Sequence, residues 1–265
     1  MAVLAIAQAR SSGATTTALA LGRCWPRPVL VVEADPAGGD LAARYGVATS
    51  PGLVDLAAAP GSHPAVLTGV VQELGGVRAV VTPVGAEATR AALDALGAGA
   101  RWLETVDDDV DVIVDCGRLP LPPAPTPALI EAATAVLLVM RPTAPGVVSL
   151  RQRVTSLPST VRDRSVAVLV GDRPYPPDEV AAVLGIPIAG VLADDPVAAA
   201  AFGSVEPDRM GRSALLRSAC VLAESLVASL GAPTVAAPET DSGPARRWVQ
   251  ALRPARCSLS QNGAR

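Results

Sequence analysis

The chain reads Arg10-Ser11-Ser12-Gly13-Ala14-Thr15-Thr16-Thr17 between an apolar run, Ala2 to Ala7, and an alanine-rich segment that ends at Cys24. The run predicts a buried strand, and the segment from Thr15 to Cys24 predicts a helix. A loop of small residues at this position suits an anion, because its backbone N–H groups can approach the anion and the helix N-terminus adds its positive end. The hydroxyl of Thr15 or Thr16 could then hold a magnesium ion. The same residues also suit an ordinary helix-capping loop.

Short β-branched runs alternate with alanine- and leucine-rich segments along the chain, which is the pattern of alternating strands and helices. The further predicted strands are Val29 to Glu33, Val77 to Val81, Val110 to Asp115, Ala135 to Met140, Ser165 to Val170 and Ile186 to Leu192. The further predicted helices are Glu87 to Leu103, Gly146 to Ser156, Pro177 to Leu184 and a last one with an apolar stripe from Leu215 to Leu230. Because the strands are apolar almost throughout, both faces of the sheet should be covered. The sequence therefore predicts a three-layer α/β fold, with helices on both faces of a mostly parallel, doubly wound sheet.

Carboxylates follow two of the predicted strands. The second strand ends in Glu33-Ala34-Asp35-Pro36, and the run Val112-Ile113-Val114 ends in Asp115. Ligands of open parallel sheets bind at the carboxyl ends of the strands, where these side chains should meet the loop. An aspartate at the end of such a strand can reach magnesium through water, although each aspartate alone is more often a cap or turn residue.

Composition excludes several classes of function. The net charge of -3 gives no general attraction to nucleic acid or acidic membranes, and an aromatic content of 2% argues against base stacking. The chain has no lysine, which rules out Schiff-base chemistry. The four cysteines are widely separated, so we expect neither a zinc site nor a disulfide. With no apolar run of membrane-spanning length and no basic N-terminal leader, we expect a cytoplasmic protein.

The order of these motifs resembles that of the ParA/MinD-like P-loop ATPases, which act in chromosome partitioning, septum placement in cell division, and pilus positioning and assembly. The resemblance covers roughly Met1 to Leu230. Its motifs are the phosphate loop at Gly13-Ala14-Thr15-Thr16, the acidic motif at Glu33-Ala34-Asp35-Pro36, the Walker B strand Asp111 to Asp115, and later segments from Val136 to Thr143 and from Leu184 to Asp195. The resemblance implies a P-loop NTPase-like domain over residues 1–230, with a linker and basic tail over residues 231–265.

The resemblance also implies a site for ATP or ADP with magnesium. Its phosphate-binding residues would be Arg10, Ser11, Ser12, Gly13, Ala14, Thr15 and Thr16, with Asp172 and Arg173 near the base. Thr15, Asp35 and Asp115 would hold the magnesium, and Asp35 would be the catalytic residue.

The phosphate loop departs from the family pattern at the positions of the family's two lysines, which are Ala9 and Ala14 here. Arg10 is a poor replacement, because its planar fork has a different reach. The family's base-recognising asparagine is replaced by Gly171-Asp172-Arg173. We therefore expect weak binding with little hydrolysis, or a fully inactive scaffold. An active ATPase with a substituting arginine is a third possibility.

Two basic segments could contact partners. Residues 245–253, with Arg246, Arg247 and Trp248, could form a short amphipathic helix at the inner face of the membrane, or a docked or unstructured tail. Arg151, Arg153, Arg162 and Arg164 could bind DNA nonspecifically, but a solvated helix face is the commoner explanation. The resemblance implies a homodimer that binds a protein partner of a positioning or secretion system. The rival interpretation is an interaction scaffold that binds no nucleotide.

Overall fold

In a computed structural model, one eight-stranded sheet organises the chain, with strand order β3-β4-β2-β5-β1-β6-β7-β8. The structure describes residues 1–59, 64–97, 101–120, 126–202 and 213–231. The strands are β1 (Val3–Gln8), β2 (Val29–Glu33), β3 (Gln72–Glu73), β4 (Arg78–Val80), β5 (Asp111–Arg118), β6 (Ala135–Met140), β7 (Ser165–Val170) and β8 (Ile188–Leu192). All neighbours pair in parallel except β3 and β4, which are antiparallel.

Helices cover both faces of the sheet. They are α1 (Ala14–Cys24), α2 (Leu41–Tyr45), α3 (Leu53–Ala58), α4 (Pro64–Val70), α5 (Ala86–Gly97), α6 (Ala128–Ala132), α7 (Ala144–Ser156), α8 (Ser159–Arg162), α9 (Pro177–Leu184), α10 (Pro196–Ala201) and α11 (Ala214–Gly231), with a 3-10 helix at Arg101–Thr105. In β1, Leu4 and Ile6 pack into the core on the side of α1 and α11, whereas Val3, Ala5 and Ala7 pack into the core on the side of α5, α7 and α9. The predicted three-layer, mostly parallel α/β fold is confirmed.

Some predicted bounds were wrong. The helix expected over Glu87 to Leu103 ends at Gly97, and a separate 3-10 helix follows from Arg101. The last strand begins at Ile188 rather than Ile186, because Pro187 precedes it and cannot donate a ladder hydrogen bond. Strand β3 was not predicted, since two residues are too short to show a period.

The expectation that the cysteines form no disulfide was also wrong. Cys24, the last residue of α1, is bonded to Cys220 of α11, across a sequence separation of 196 residues. The two helices pack against each other on one face of the sheet, which brings the sulfurs together. Cys116 is free and buried.

The helices among the described residues include none that is long and apolar enough to cross a membrane. The predicted tail helix at residues 245–253 lies outside the described residues, as does most of the proline-rich stretch after Leu119.

Candidate functional site

The predicted anion loop joins β1 to α1 at the carboxyl edge of the sheet. Gly13 has a φ of 92° immediately before Ala14, the first residue of α1, and its carbonyl accepts the Thr17 N–H at 2.8 Å. A side chain would strain this left-handed backbone, so glycine suits the turn. Ser12 and Ala14 are buried, whereas the hydroxyls of Thr15 and Thr16 lie in half-buried side chains. Gly13 therefore turns the loop sharply into the start of α1.

Two N–H groups of this loop already have a partner within the chain. The side-chain oxygen Oε1 of Gln8 accepts the Ser12 N–H at 2.6 Å and the Ala14 N–H at 3.2 Å. An amide oxygen thus occupies the position at which a phosphate oxygen would accept these hydrogen bonds. The sequence did not reveal this contact, because Gln8 looks like the last residue of an ordinary strand.

Asp115 lies near the loop in the interior of the sheet, with only 1% of its surface exposed. Oδ1 accepts the Gly117 N–H at 3.1 Å. Oδ2 is buried and has no hydrogen-bond partner of standard geometry among the described residues. Burial raises the pKa of Asp115 to about 7. Hydrogen bonding from the Thr15 hydroxyl and the Gly117 N–H lowers this pKa, and the negative charges of Glu33 and Asp35 raise it further. A buried carboxylate oxygen without a partner is where a cation or a donor is missing.

Asp35 follows β2 and lies beside Gly117, near the end of β5. A Cβ on Gly117 would come within 1.9 Å of Asp35 Oδ2, so a side chain at Gly117 would displace this carboxylate. Asp35 Oδ1 accepts the Ala37 N–H at 2.8 Å. Burial raises the pKa of Asp35, and Arg118 partly opposes this increase. Asp35 and Asp115 are therefore neighbours at one edge of the sheet, as predicted.

Glu33, the third carboxylate of the predicted group, has a structural role. Its Oε1 accepts the N–H groups of Asp40 and Leu41, and its Oε2 accepts the N–H of Thr82. Burial raises the pKa of Glu33, whereas these three hydrogen bonds lower it. This carboxylate fixes the loop after β2 and the end of β4.

A cleft of about 120 Å³ opens beside the loop, between Thr16 and the ends of β7 and β8. The guanidinium of Arg141 forms a bidentate ion pair with Asp194 at its wall. Asp172 and Arg173, predicted near the base, are exposed and do not line this cleft.

Solved structures with a similar fold include ATPases named ParA, MinD and McdA. A ParA family ATPase from Chlorobium tepidum superposes with a TM-score of 0.67, at 18% identity over 84% of this chain and 97% of that one. The septum site-determining protein MinD of Pyrococcus horikoshii, a complex with Mg-ADP, superposes with a TM-score of 0.64, at 18% identity over 87% of this chain and 97% of that one. A complex of McdA from Cyanothece with ATP superposes with a TM-score of 0.59, at 22% identity over 84% of this chain and 95% of that one.

The chain has the fold of the ParA and MinD ATPases. No protein-family model and no curated protein sequence matches it. At identities of 18% to 22%, the likeness to these structures establishes the fold alone.

The donor set at the carboxyl edge of this ParA/MinD-like fold fits magnesium in its chemistry. Hydroxyl and carboxylate oxygens such as those of Thr15, Asp35 and Asp115 are the ligands that magnesium prefers. Asp115 Oδ2 has no hydrogen-bond partner of standard geometry among the described residues. A group of three or more His, Cys, Asp or Glu residues suited to a metal does not occur among the described residues. Any magnesium at this edge would therefore need water and phosphate oxygens as further ligands.

The predicted basic cluster of Arg151, Arg153, Arg162 and Arg164 does not form one surface. Arg153 is buried, and its Nε donates to the Leu119 carbonyl at 3.1 Å. Arg164 is half-buried and donates to the carbonyls of Ile130 and Glu131. Arg151 is exposed. The expectation of a shared solvated face was therefore wrong for Arg153, which instead reaches towards the end of β5.

Proposed function

We propose that this chain is a positioning protein of the ParA/MinD type that binds a magnesium nucleotide weakly and hydrolyses little of it. The observation that carries the proposal is the buried carboxylate of Asp115, whose Oδ2 has no hydrogen-bond partner of standard geometry although the Thr15 hydroxyl lies beside it at the start of α1. The fold and the left-handed Gly13 before α1 support the same assignment.

Weak binding follows from the charges of the loop. Magnesium held by Thr15, Asp35 and Asp115 would neutralise part of the phosphate charge. The loop itself offers N–H groups and the N-terminus of α1, but Ala9 and Ala14 supply no cation. Asp35, half-buried and fixed by the Ala37 N–H, would orient the attacking water. Without a lysine, the charge that develops on the phosphates would be poorly stabilised, so turnover should be slow.

Calorimetric titration with Mg-ATP and Mg-ADP tests this proposal. Saturable binding by the wild type that is lost in Asp35→Ala and Asp115→Asn would support it. Asp178→Asn, an exposed acidic residue on α9, is the matched control and should bind as the wild type does. A steady-state turnover of ATP as fast as that of lysine-containing relatives would contradict the proposal of little hydrolysis.

A nucleotide-free scaffold is the second candidate, and the Gln8 side chain is the observation that favours it. Gln8 satisfies two N–H groups of the loop without any ligand, and the adjoining cleft of about 120 Å³ is smaller than usual ligand pockets of roughly 300 Å³ or more. If millimolar nucleotide gives no heat of binding and does not raise the midpoint of thermal unfolding, the result would favour this scaffold.

We further propose that the protein acts as a homodimer that binds a partner in placing a pilus or secretion apparatus, a septum or a chromosome. Sedimentation with and without Mg-ATP tests the dimer, and a monomer under both conditions would contradict it.

Residues 245–253 are proposed to contact the membrane. Equal flotation on liposomes with and without residues 245–265 would remove that part of the proposal.

A further inference from the structure

The end of β5 brings a cation onto the phosphate loop. Arg118 is the last residue of β5 and is exposed, and its Nη2 donates to the Ser11 hydroxyl oxygen at 3.0 Å. Ser11 belongs to the loop, although the two residues are 107 positions apart in the chain. The loop therefore has a guanidinium beside it that comes from another element.

Arg118 is part of a group of positive charges with few counter-charges. The charges of Arg118 and Arg10 both act on Arg153, whose pKa is lowered first by burial and then by these two neighbours. Arg153 is 7% exposed, and its guanidinium donates to the carbonyls of Leu119 and Ser149. Among the described residues, none of these arginines forms an ion pair with a carboxylate within 4.0 Å.

Like charges near one another repel, and this repulsion favours a bound anion. Arg10 and Arg118 are exposed, so water and salt screen part of the repulsion in the ligand-free protein. Asp35 is the carboxylate whose pKa is sensitive to Arg118, and its charge cannot balance all of the arginines. The buried Asp115 Oδ2, which has no hydrogen-bond partner of standard geometry beside the Thr15 hydroxyl, is an independent sign that this edge suits a cation, and a magnesium ion there would accompany a bound phosphate.

We propose that Arg118 supplies the cation that the phosphate loop lacks, by binding the outer oxygens of a phosphate group held on the N–H groups of the loop. Arg10 would add positive charge on the same side. The planar guanidinium suits this role, because it can donate two parallel hydrogen bonds to a phosphate. The hydrogen bond to the Ser11 hydroxyl holds Arg118 beside the loop. When the ligand binds, the Arg118 guanidinium would donate to the phosphate instead.

This inference deepens the proposed function and rests on its anion site. Its ligand has at least two linked phosphate groups, so that one lies on the loop and Arg118 can reach the other. The outer phosphates of a nucleotide and free pyrophosphate are such ligands. The two sources share their chemistry, and titration of each separates them.

The test is calorimetric titration of the full chain with Mg-ATP, Mg-ADP and magnesium pyrophosphate. Arg118→Gln should bind Mg-ATP and pyrophosphate about ten- to a hundredfold more weakly than the wild type. Arg118→Lys keeps the positive charge but not the planar guanidinium, so its affinity for the same ligands should fall less than that of Arg118→Gln. Arg151→Gln removes the same charge from an exposed site on α7 and should change binding less than about twofold. Because Arg118 is exposed, thermal unfolding of the variants should match that of the wild type.

Each outcome decides something different. Equal affinity of the wild type and Arg118→Gln for every ligand would overturn the inference and leave the proposed function standing. Equal losses in Arg118→Gln and Arg151→Gln would also overturn it, because the effect would then be one of net charge. Binding of pyrophosphate but not of nucleotide, lost in Arg118→Gln, would support the inference and overturn the nucleotide proposal. No binding of any of the three ligands by the wild type would overturn both.

Discussion

At the scale of single residues, Gln8 competes with any phosphate for the N–H groups of Ser12 and Ala14. In Gln8→Ala those groups lose their partner, so the ligand-free protein should be less stable by about 1 kcal/mol or more. A phosphate would restore both hydrogen bonds, and magnesium pyrophosphate should therefore bind more tightly than to the wild type. Thermal unfolding with and without pyrophosphate measures both effects: a lower midpoint without ligand and a larger shift with it.

Gln8→Glu is the matched variant for this prediction. Its carboxylate can accept the same hydrogen bonds, so the ligand-free protein should keep its stability, helped by the positive end of α1. The added negative charge should weaken phosphate binding. Equal ligand-induced shifts in wild type, Gln8→Ala and Gln8→Glu would show that the loop is not where the anion binds.

The buried Asp115 predicts how stability depends on pH. Its pKa is raised to about 7 from an ordinary value of 3.8, chiefly by burial, so the folded protein retains a proton there that the unfolded chain releases. The free energy of unfolding should therefore fall as pH rises from about 4 to 7 and level off above that range, by on the order of 4 kcal/mol in total. Asp115→Asn should lack this contribution and become relatively more stable as pH rises. Urea unfolding of both proteins in EDTA at several pH values measures the difference, and parallel curves would contradict the prediction.

The residues of the site were only partly predictable. Gly13, Asp35 and Asp115 follow from the rule that parallel strands place their carboxyl ends at one edge. Gln8 and Arg118 do not, because their roles depend on where side chains point after the strands have paired. Arg118 Nη2 meets Ser11 because β1 and β5 are neighbours in the sheet, and the pattern of the sequence does not set the strand order.

At the scale of elements, Glu33 ties together β2, α2 and the end of β4. In Glu33→Gln one oxygen becomes an amide that cannot accept, so an N–H of Asp40, Leu41 or Thr82 loses its partner. The free energy of unfolding should fall by about 1–3 kcal/mol. Urea unfolding at neutral pH measures this loss. Glu224→Gln, on the exposed side of α11, should change stability by less than about 0.5 kcal/mol, and an equal loss in both variants would refute the structural role of Glu33.

The elements themselves were more predictable than their ends. Strands β2, β6 and β7 have the bounds that their apolar runs predict, because a buried strand must be apolar on both faces. The helix predicted over Glu87 to Leu103 is described as far as Gly97, and Arg101–Thr105 form a 3-10 helix instead. Short elements such as β3 and α2 leave too few residues for a period to show, and tertiary packing decides them.

At the scale of the whole molecule, the bond between Cys24 and Cys220 closes most of the chain into a loop. It joins the last residue of α1 to α11, a contact that the widely spaced cysteines did not predict. The predicted anion loop lies at the other end of α1, about 16 Å away along a helix of 11 residues. The bond should therefore contribute to stability without acting on the site.

Reduction should lower the free energy of unfolding by about 2–4 kcal/mol, mainly because the unfolded chain gains freedom. The protein denatured without reductant should show two thiols fewer than after reduction, and the double variant Cys24→Ser with Cys220→Ser should not respond to reductant. Affinity for magnesium pyrophosphate should stay the same in both states. An unchanged thiol count would show that the bond does not form, whereas a change of affinity on reduction would show that α1 transmits strain to the loop.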